Sequence, residues 1–78
     1  MIKVTVKLYG ILAEIAGKPS LILENVSDSD DLKKHLLYLF PEMREHTFIV
    51  AVNNKLINKP TKLTNGDEIA VMPPFSGG

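Results

Sequence analysis

Cysteine and tryptophan are absent from the 78 residues, and neither sign of charge is in excess, with nine Lys+Arg against nine Asp+Glu. The missing thiols exclude a disulfide scaffold, a thiolate zinc site and a cysteine nucleophile. The balanced charge argues against a nucleic-acid partner, which needs a cationic surplus on one face to neutralise phosphates. No apolar run approaches the roughly 20 residues that span a bilayer, so no membrane partner is expected. Met1-Ile2-Lys3-Val4 enters an alternating pattern without signal-peptide anatomy, and the expected location is cytoplasmic. What remains is an ordinary folding composition, 45% hydrophobic and 23% charged, in a chain long enough for one core only.

Residues 2–9 alternate, with Ile2, Val4, Val6 and Leu8 on one side and Lys3, Thr5, Lys7 and Tyr9 on the other. That period of two predicts a strand with one buried face. Gly10 interrupts it, Ile11 to Ala16 has room for a helical turn or two, and Gly17 stops that turn. Ser20 to Asn25 reads as a second strand, joined to the first as a hairpin with a long connection. The period then changes. Leu32, Leu36, Leu39 and Phe40 form one helical stripe. Asp28, with Asp31 three residues on, resembles a capping box, and Pro41 ends the helix. Phe48 to Val52 is a continuous apolar run, expected of a strand covered on both faces. Asn53-Asn54-Lys55 signals a turn, with Leu56-Ile57 pairing briefly beyond it. Thr64-Asn65-Gly66-Asp67 signals another, in which Asn-Gly supplies positive φ angles. Glu68 to Met72 closes the sheet with Ile69 and Val71 inward.

A ferredoxin-like fold lacks its second long helix here, whereas a small OB-type barrel remains open. The order fits best an α+β β-grasp, or ubiquitin-like, fold. It predicts a mixed sheet of four to five strands, the first and last as central neighbours, with one long helix packed across it. Residues 1–72 form that domain, and residues 73–78 form an extended Pro-Pro-Phe-Ser-Gly-Gly tail.

Conventional catalytic groups are scarce. His35 lies on the helix and His46 in a loop, with no carboxylate at ligand spacing, so no metal is expected. Asp28, Asp30 and Asp31 are explained by a helix N-terminus, and Lys33 and Lys34 by a solvated face. The tail is more informative. Pro73-Pro74 stops further pairing and favours a stiff extended conformation. Gly77 and Gly78 make the tip as thin as a polypeptide can be. Such a tip can thread a narrow channel and present its α-carboxylate to another protein's active site. Adenylation by ATP would convert that carboxylate into an electrophile able to accept sulfur, giving a thiocarboxylate, or an amine, giving an isopeptide. A frayed terminus also suits glycines. Phe75 points the other way, because a large apolar side chain on a protruding tail needs a partner's pocket.

Ala51-Val52-Asn53, Leu63-Thr64-Asn65-Gly66-Asp67-Glu68-Ile69-Ala70 and Pro73-Pro74-Phe75-Ser76-Gly77-Gly78 together resemble the MoaD/ThiS superfamily of sulfur carriers, and within it the small subunits of molybdopterin synthase. The resemblance covers essentially the whole chain. It implies that Gly78 is adenylated by an E1-like, MoeB-like activating enzyme that consumes ATP, then converted to a thiocarboxylate. The chain itself would hold no cofactor and no metal. The tail, Pro73, Pro74, Phe75, Ser76 and Gly77, would enter a MoaE-like large subunit, within a heterotetramer, where sulfur passes to precursor Z for molybdenum cofactor biosynthesis. On that reading the chain is a non-catalytic, sulfur-donating subunit. The resemblance also implies an apolar docking surface of Tyr9, Leu56 and Met72. Tyr9-Gly10, Ala13-Glu14 and Gly17 keep only part of the family's segment after the first strand, and Phe75 stands where a smaller apolar residue is common. Three alternatives stay open: a ThiS-type carrier for thiamin synthesis, a ubiquitin-like modifier forming isopeptides, and an interaction module whose tail is inert.

Overall fold

The computed structural model describes residues 2–74. Met1 and the predicted tail residues Phe75, Ser76, Gly77 and Gly78 lie outside the described residues. The chain runs β1 (Lys3–Leu8), α1 (Ile11–Ala16), β2 (Ser20–Glu24), α2 (Ser29–Leu39), a 3-10 helix (Pro41–Glu45), β3 (Ile49–Val52), β4 (Lys55–Ile57) and β5 (Glu68–Met72). The sheet order is β2-β1-β5-β3-β4. β1 and β5 run parallel, and every other neighbouring pair is antiparallel. This is the β-grasp arrangement predicted, with the first and last strands side by side.

Period two decides β1. Val4, Val6 and Leu8 are buried while Lys3, Thr5 and Lys7 are exposed. The buried side joins Leu23, Val50, Ile69 and Val71 from the sheet with Leu12, Leu32 and Leu36 from the helices in one core. At roughly 25 cal/mol per Å² of apolar surface removed from water, these side chains are the main stabilising term of so small a domain. No helix among the described residues is long and apolar enough to cross a membrane.

The start of α2 follows the carboxylates. Asp28 Oδ1 accepts from the Asp31 N–H at 2.8 Å, and Asp31 Oδ2 accepts from the Ser27 N–H at 3.0 Å. The pair therefore reaches one residue further back than an ordinary capping box, in which the second side chain bonds the N-cap's own N–H. The helical stripe needs one correction. Leu32 and Leu36 are fully buried, but Leu39 is 48% exposed. The helix stops at Leu39 because Pro41 forbids helical angles at Phe40, and it is Phe40 and Leu37 that pack against the core. Val26, Met43 and Leu63 are also fully buried, from irregular or 3-10 segments that carry no periodic signal.

The two turns exchange roles. Asn53 (φ 49°) and Asn54 (φ 70°) both adopt left-handed backbone, as a type I′ hairpin between β3 and β4 demands. In the Asn65-Gly66 turn only Gly66 does, at φ 89°, because β5 turns to pair in parallel with β1 and needs no hairpin twist there. Asp67 ties the two turns together. Its carboxylate accepts from the Thr64 N–H (2.8 Å), the Thr64 hydroxyl (3.0 Å) and Asn53 Nδ2 (3.0 Å), while Asn53 Oδ1 accepts from the Glu68 N–H (2.9 Å).

Leu36→Ala should cost about 2–5 kcal/mol in urea unfolding, against less than about 1 kcal/mol for Leu39→Ala; similar costs would contradict the assigned faces. For Asp67, the bond from the Thr64 N–H, and then that from Asn53, hold the carboxyl below its ordinary value of 3.8. A depressed native pKa stabilises the fold above 3.8 and loses that contribution as pH falls through the lower native value. Asp67→Asn should therefore be less stable than the parent at neutral pH, with the difference shrinking in acid; a pH-independent difference would rule out the carboxylate's charge as its source.

Candidate functional site

The β5 strand ends at Met72, and Pro73 and Pro74 carry no strand pairing. At that end Tyr9, the residue after β1, donates its N–H to the Val71 carbonyl at 3.1 Å, the last bond joining the two central strands. Gly10 then turns the chain at φ 58° and ψ −135°, a conformation open to glycine. It also leaves space: a Cβ on Gly10 would lie 3.1 Å from Pro73 Cγ. Pro73 is thus seated against the β1–α1 turn, and the root of the tail is fixed by a residue with no side chain.

The face of the sheet away from the helices opens beside this root. In register, Ala51 lies opposite Ala70 across β3–β5 and opposite Leu56 across β3–β4, while Met72 lies opposite Ile49. Two adjoining alanines make a low floor where neighbouring strands carry longer side chains. The result is a hollow of about 330 Å³ lined by Tyr9, Ala51, Asn54, Leu56, Ala70 and Met72. Ala51 is only 5% exposed despite facing outward, whereas Leu56 is 70% exposed and Tyr9 46% exposed. A shallow apolar floor with large exposed apolar walls suits the insertion of a partner's side chain and is unfavourable to leave in water.

Charge borders this hollow on its β1 side without entering it. Lys7 is in register with Ala70 and pairs with Glu68 at 3.4 Å; further along the same face Lys3 pairs with Glu24 at 3.7 Å. Both pairs are half exposed and contribute little to stability. They supply a polar border to an apolar centre, the usual anatomy of a docking surface. A second depression of about 250 Å³ lies on the helix side, where the Lys33 ammonium sits 5.8 Å from the Phe48 ring centroid. It does not include the tail's root.

The structure therefore brings together three of the residues singled out in the sequence, Tyr9, Leu56 and Met72, around one hollow next to Pro73. The remaining candidates separate from it. His35 Nδ1 lies 2.9 Å from the Asp31 carbonyl oxygen of its own helix. His46 caps the 3-10 helix through its backbone N–H. Asp28 and Asp31 are occupied in the α2 cap. Phe75, Ser76, Gly77 and Gly78 are beyond the described residues. Sequence reasoning missed Ala51, Asn54 and Ala70, whose contribution is smallness or position; the only signal was a pair of alanines at mid-strand, which becomes legible once the register is known.

Comparison with known proteins places this geometry. The ThiS family model matches residues 6–78. Curated relatives include a molybdopterin synthase sulfur carrier subunit of Dictyostelium discoideum, 31% identical and covering 91% of both chains. Another, from Mycobacterium tuberculosis, is 32% identical and covers 100% of both chains. Among solved structures, the small archaeal modifier protein 1 of Methanosarcina acetivorans superposes with a TM-score of 0.84 at 28% identity, over 100% of this chain and 98% of that one. A complex of subunits 1 and 2 of molybdopterin-converting factor from Helicobacter pylori matches with a TM-score of 0.73 at 24% identity, over 99% of this chain and 100% of the matched one, and supports the fold alone.

If Leu56 is a docking rather than a packing residue, Leu56→Glu should leave unfolding stability within about 0.5 kcal/mol of the parent. A larger loss in chemical denaturation would make it part of the core.

Proposed function

The chain belongs to the ThiS family, and from that membership we propose that it is a cytoplasmic sulfur carrier, the small, non-catalytic subunit of a molybdopterin synthase. The observation that carries the proposal is the end-to-end match to relatives named as sulfur carrier subunits of that synthase. The hollow at the root of the tail supports it, since a carrier must dock beside the point from which its cargo is delivered.

On this reading the chemistry belongs to the terminal carboxylate of Gly78. An activating enzyme brings that carboxylate to the α-phosphorus of ATP, pyrophosphate leaves, and an acyl adenylate remains. A sulfur nucleophile then displaces AMP, and the resulting thiocarboxylate donates its sulfur to precursor Z in the large subunit. A carboxylate has no leaving group good enough for sulfur until adenylation provides one, which accounts for an ATP-dependent partner. The globular body contributes positioning. Tyr9, Leu56 and Met72 receive an apolar group of the large subunit, the two prolines stop the chain pairing further, and glycines keep its tip narrow enough for a channel. The curated relatives named as subunits of that synthase support a large-subunit partner of this kind.

A second reading has its own observation: the likeness to small archaeal modifier protein 1 at 28% identity favours isopeptide formation through the same activated terminus. The two separate by product. Co-expression with an activating enzyme and a sulfur donor should raise the intact mass by one oxygen-to-sulfur exchange at Gly78, and deletion of Gly78 should abolish the shift while leaving the fold intact. Cofactor synthesis supported by the deletion variant would refute the carrier reading, and conjugate ladders in cells would replace it with the modifier. Leu56→Glu should weaken binding to a purified large subunit at least about tenfold, and unchanged affinity would remove the hollow from the interface.

A further inference from the structure

The sheet has two edges, and they are treated differently. The β4 edge is only three residues long and begins with Lys55, the short, lysine-bearing form that resists strand addition. The β2 edge is five residues long, with no proline, lysine or bulge inside it, and Lys18-Pro19 stands before it as Lys59-Pro60 stands after β4. Its parity is fixed by two bonds to the flanks of β1, Leu8 N–H to the Pro19 carbonyl at 2.8 Å and Asn25 N–H to the Ile2 carbonyl at 2.7 Å. Given the pairing Val4↔Leu23 and Val6↔Leu21, this turns the N–H and C=O groups of Ser20, Ile22 and Glu24 away from β1. No hydrogen bond to any of the six groups is found among the described residues. On the same strand Ile22 is 65% exposed on the open face.

We infer that β2 is a self-association edge, pairing antiparallel with β2 of a second copy of this chain about a two-fold axis at Ile22. The occupant is argued from the register itself. With Ile22 opposite the second copy's Ile22, every outward-turned residue meets another outward-turned residue, Ser20 facing Glu24 on each side, so the pairing satisfies all the free groups of the edge. The side chains agree with it. The two Ile22 side chains cover each other on the open face, and Leu21, only half buried in the monomer, comes opposite Leu23 on the core face. No like charges meet within residues 20–24, and Glu24 is already partnered by Lys3. A slip of two residues sets Ile22 against Ser20 and loses a rung. The pairing would join two five-stranded sheets into one of ten, leaving the hollow beside β3, β4 and β5, at the far side of each sheet, free for its own partner. One five-residue rung set buries well under the roughly 800 Å² per partner of a standard stable interface, so the association is weak and driven by concentration.

The test is sedimentation and two-dimensional NMR of the full chain from about 50 µM to about 2 mM. Self-association, with shifts and slowed amide exchange centred on Ser20, Ile22 and Glu24, is expected. Ile22→Lys sets two lysines face to face and should weaken the dimer at least tenfold, at an exposed site where the unfolding midpoint should hold. Ser20→Lys places a cation opposite Glu24 twice per dimer and should tighten it several-fold, a gain that loss of folding cannot imitate. A monomer throughout the range, or a dimer indifferent to both substitutions, overturns the inference.

Discussion

The parallel pairing of β1 with β5 is the constraint from which the rest of the molecule is arranged. It brings residues some 60 positions apart in sequence into register, Thr5 with Glu68 through Leu8 with Val71. Long loop closure of this kind is entropically unfavourable, and it is offset by burying Val4, Val6, Leu8, Ile69 and Val71 under the helices. Because β5 is central, flanked by β1 and β3, the chain leaves the domain from the middle of the sheet rather than from its rim. The tail's root is therefore held on both sides, by the Tyr9–Val71 bond and by the Met72–Ile49 register.

The other partner of β5, antiparallel β3, creates the apolar hollow. Ala70 lies on β5 and Ala51 on β3, and only their adjacency across the sheet makes a floor of two methyl groups. Larger residues at either position would level the surface; Leu56 and Tyr9 would then be ordinary exposed side chains. The apolar hollow and the tail's exit lie side by side because both belong to β5 and its two neighbours. Whatever seats in the hollow lies beside Met72, where β5 ends, without any rearrangement of the fold.

Much of this was legible in the sequence where the signal is local. Alternation placed β1 and β5, the carboxylates around Ser29 placed the start of α2, and Pro41 placed its end. Tyr9, Leu56 and Met72 were named on family resemblance, and the fold brings them together. What local pattern missed is what tertiary pairing decides. Leu39 continued the helical stripe in sequence but lies past the point where the core covers the helix. Asn65-Gly66 read as a source of two positive φ angles, whereas Asn53-Asn54 makes the hairpin. Val26, Met43 and Leu63 are core residues without a period, and the alanine floor and free β2 edge exist only once strand neighbours are assigned.

Gly10 has a consequence out of proportion to its size. The missing methyl group lets Pro73 lean directly on the backbone of the β1–α1 turn, so the turn acts as a rest for the residue that follows β5. The seat of Pro73 is thus set far upstream in the sequence, by a position that contributes only the absence of a side chain. A side chain at that one position would shift the place where the chain leaves the sheet, with the core untouched.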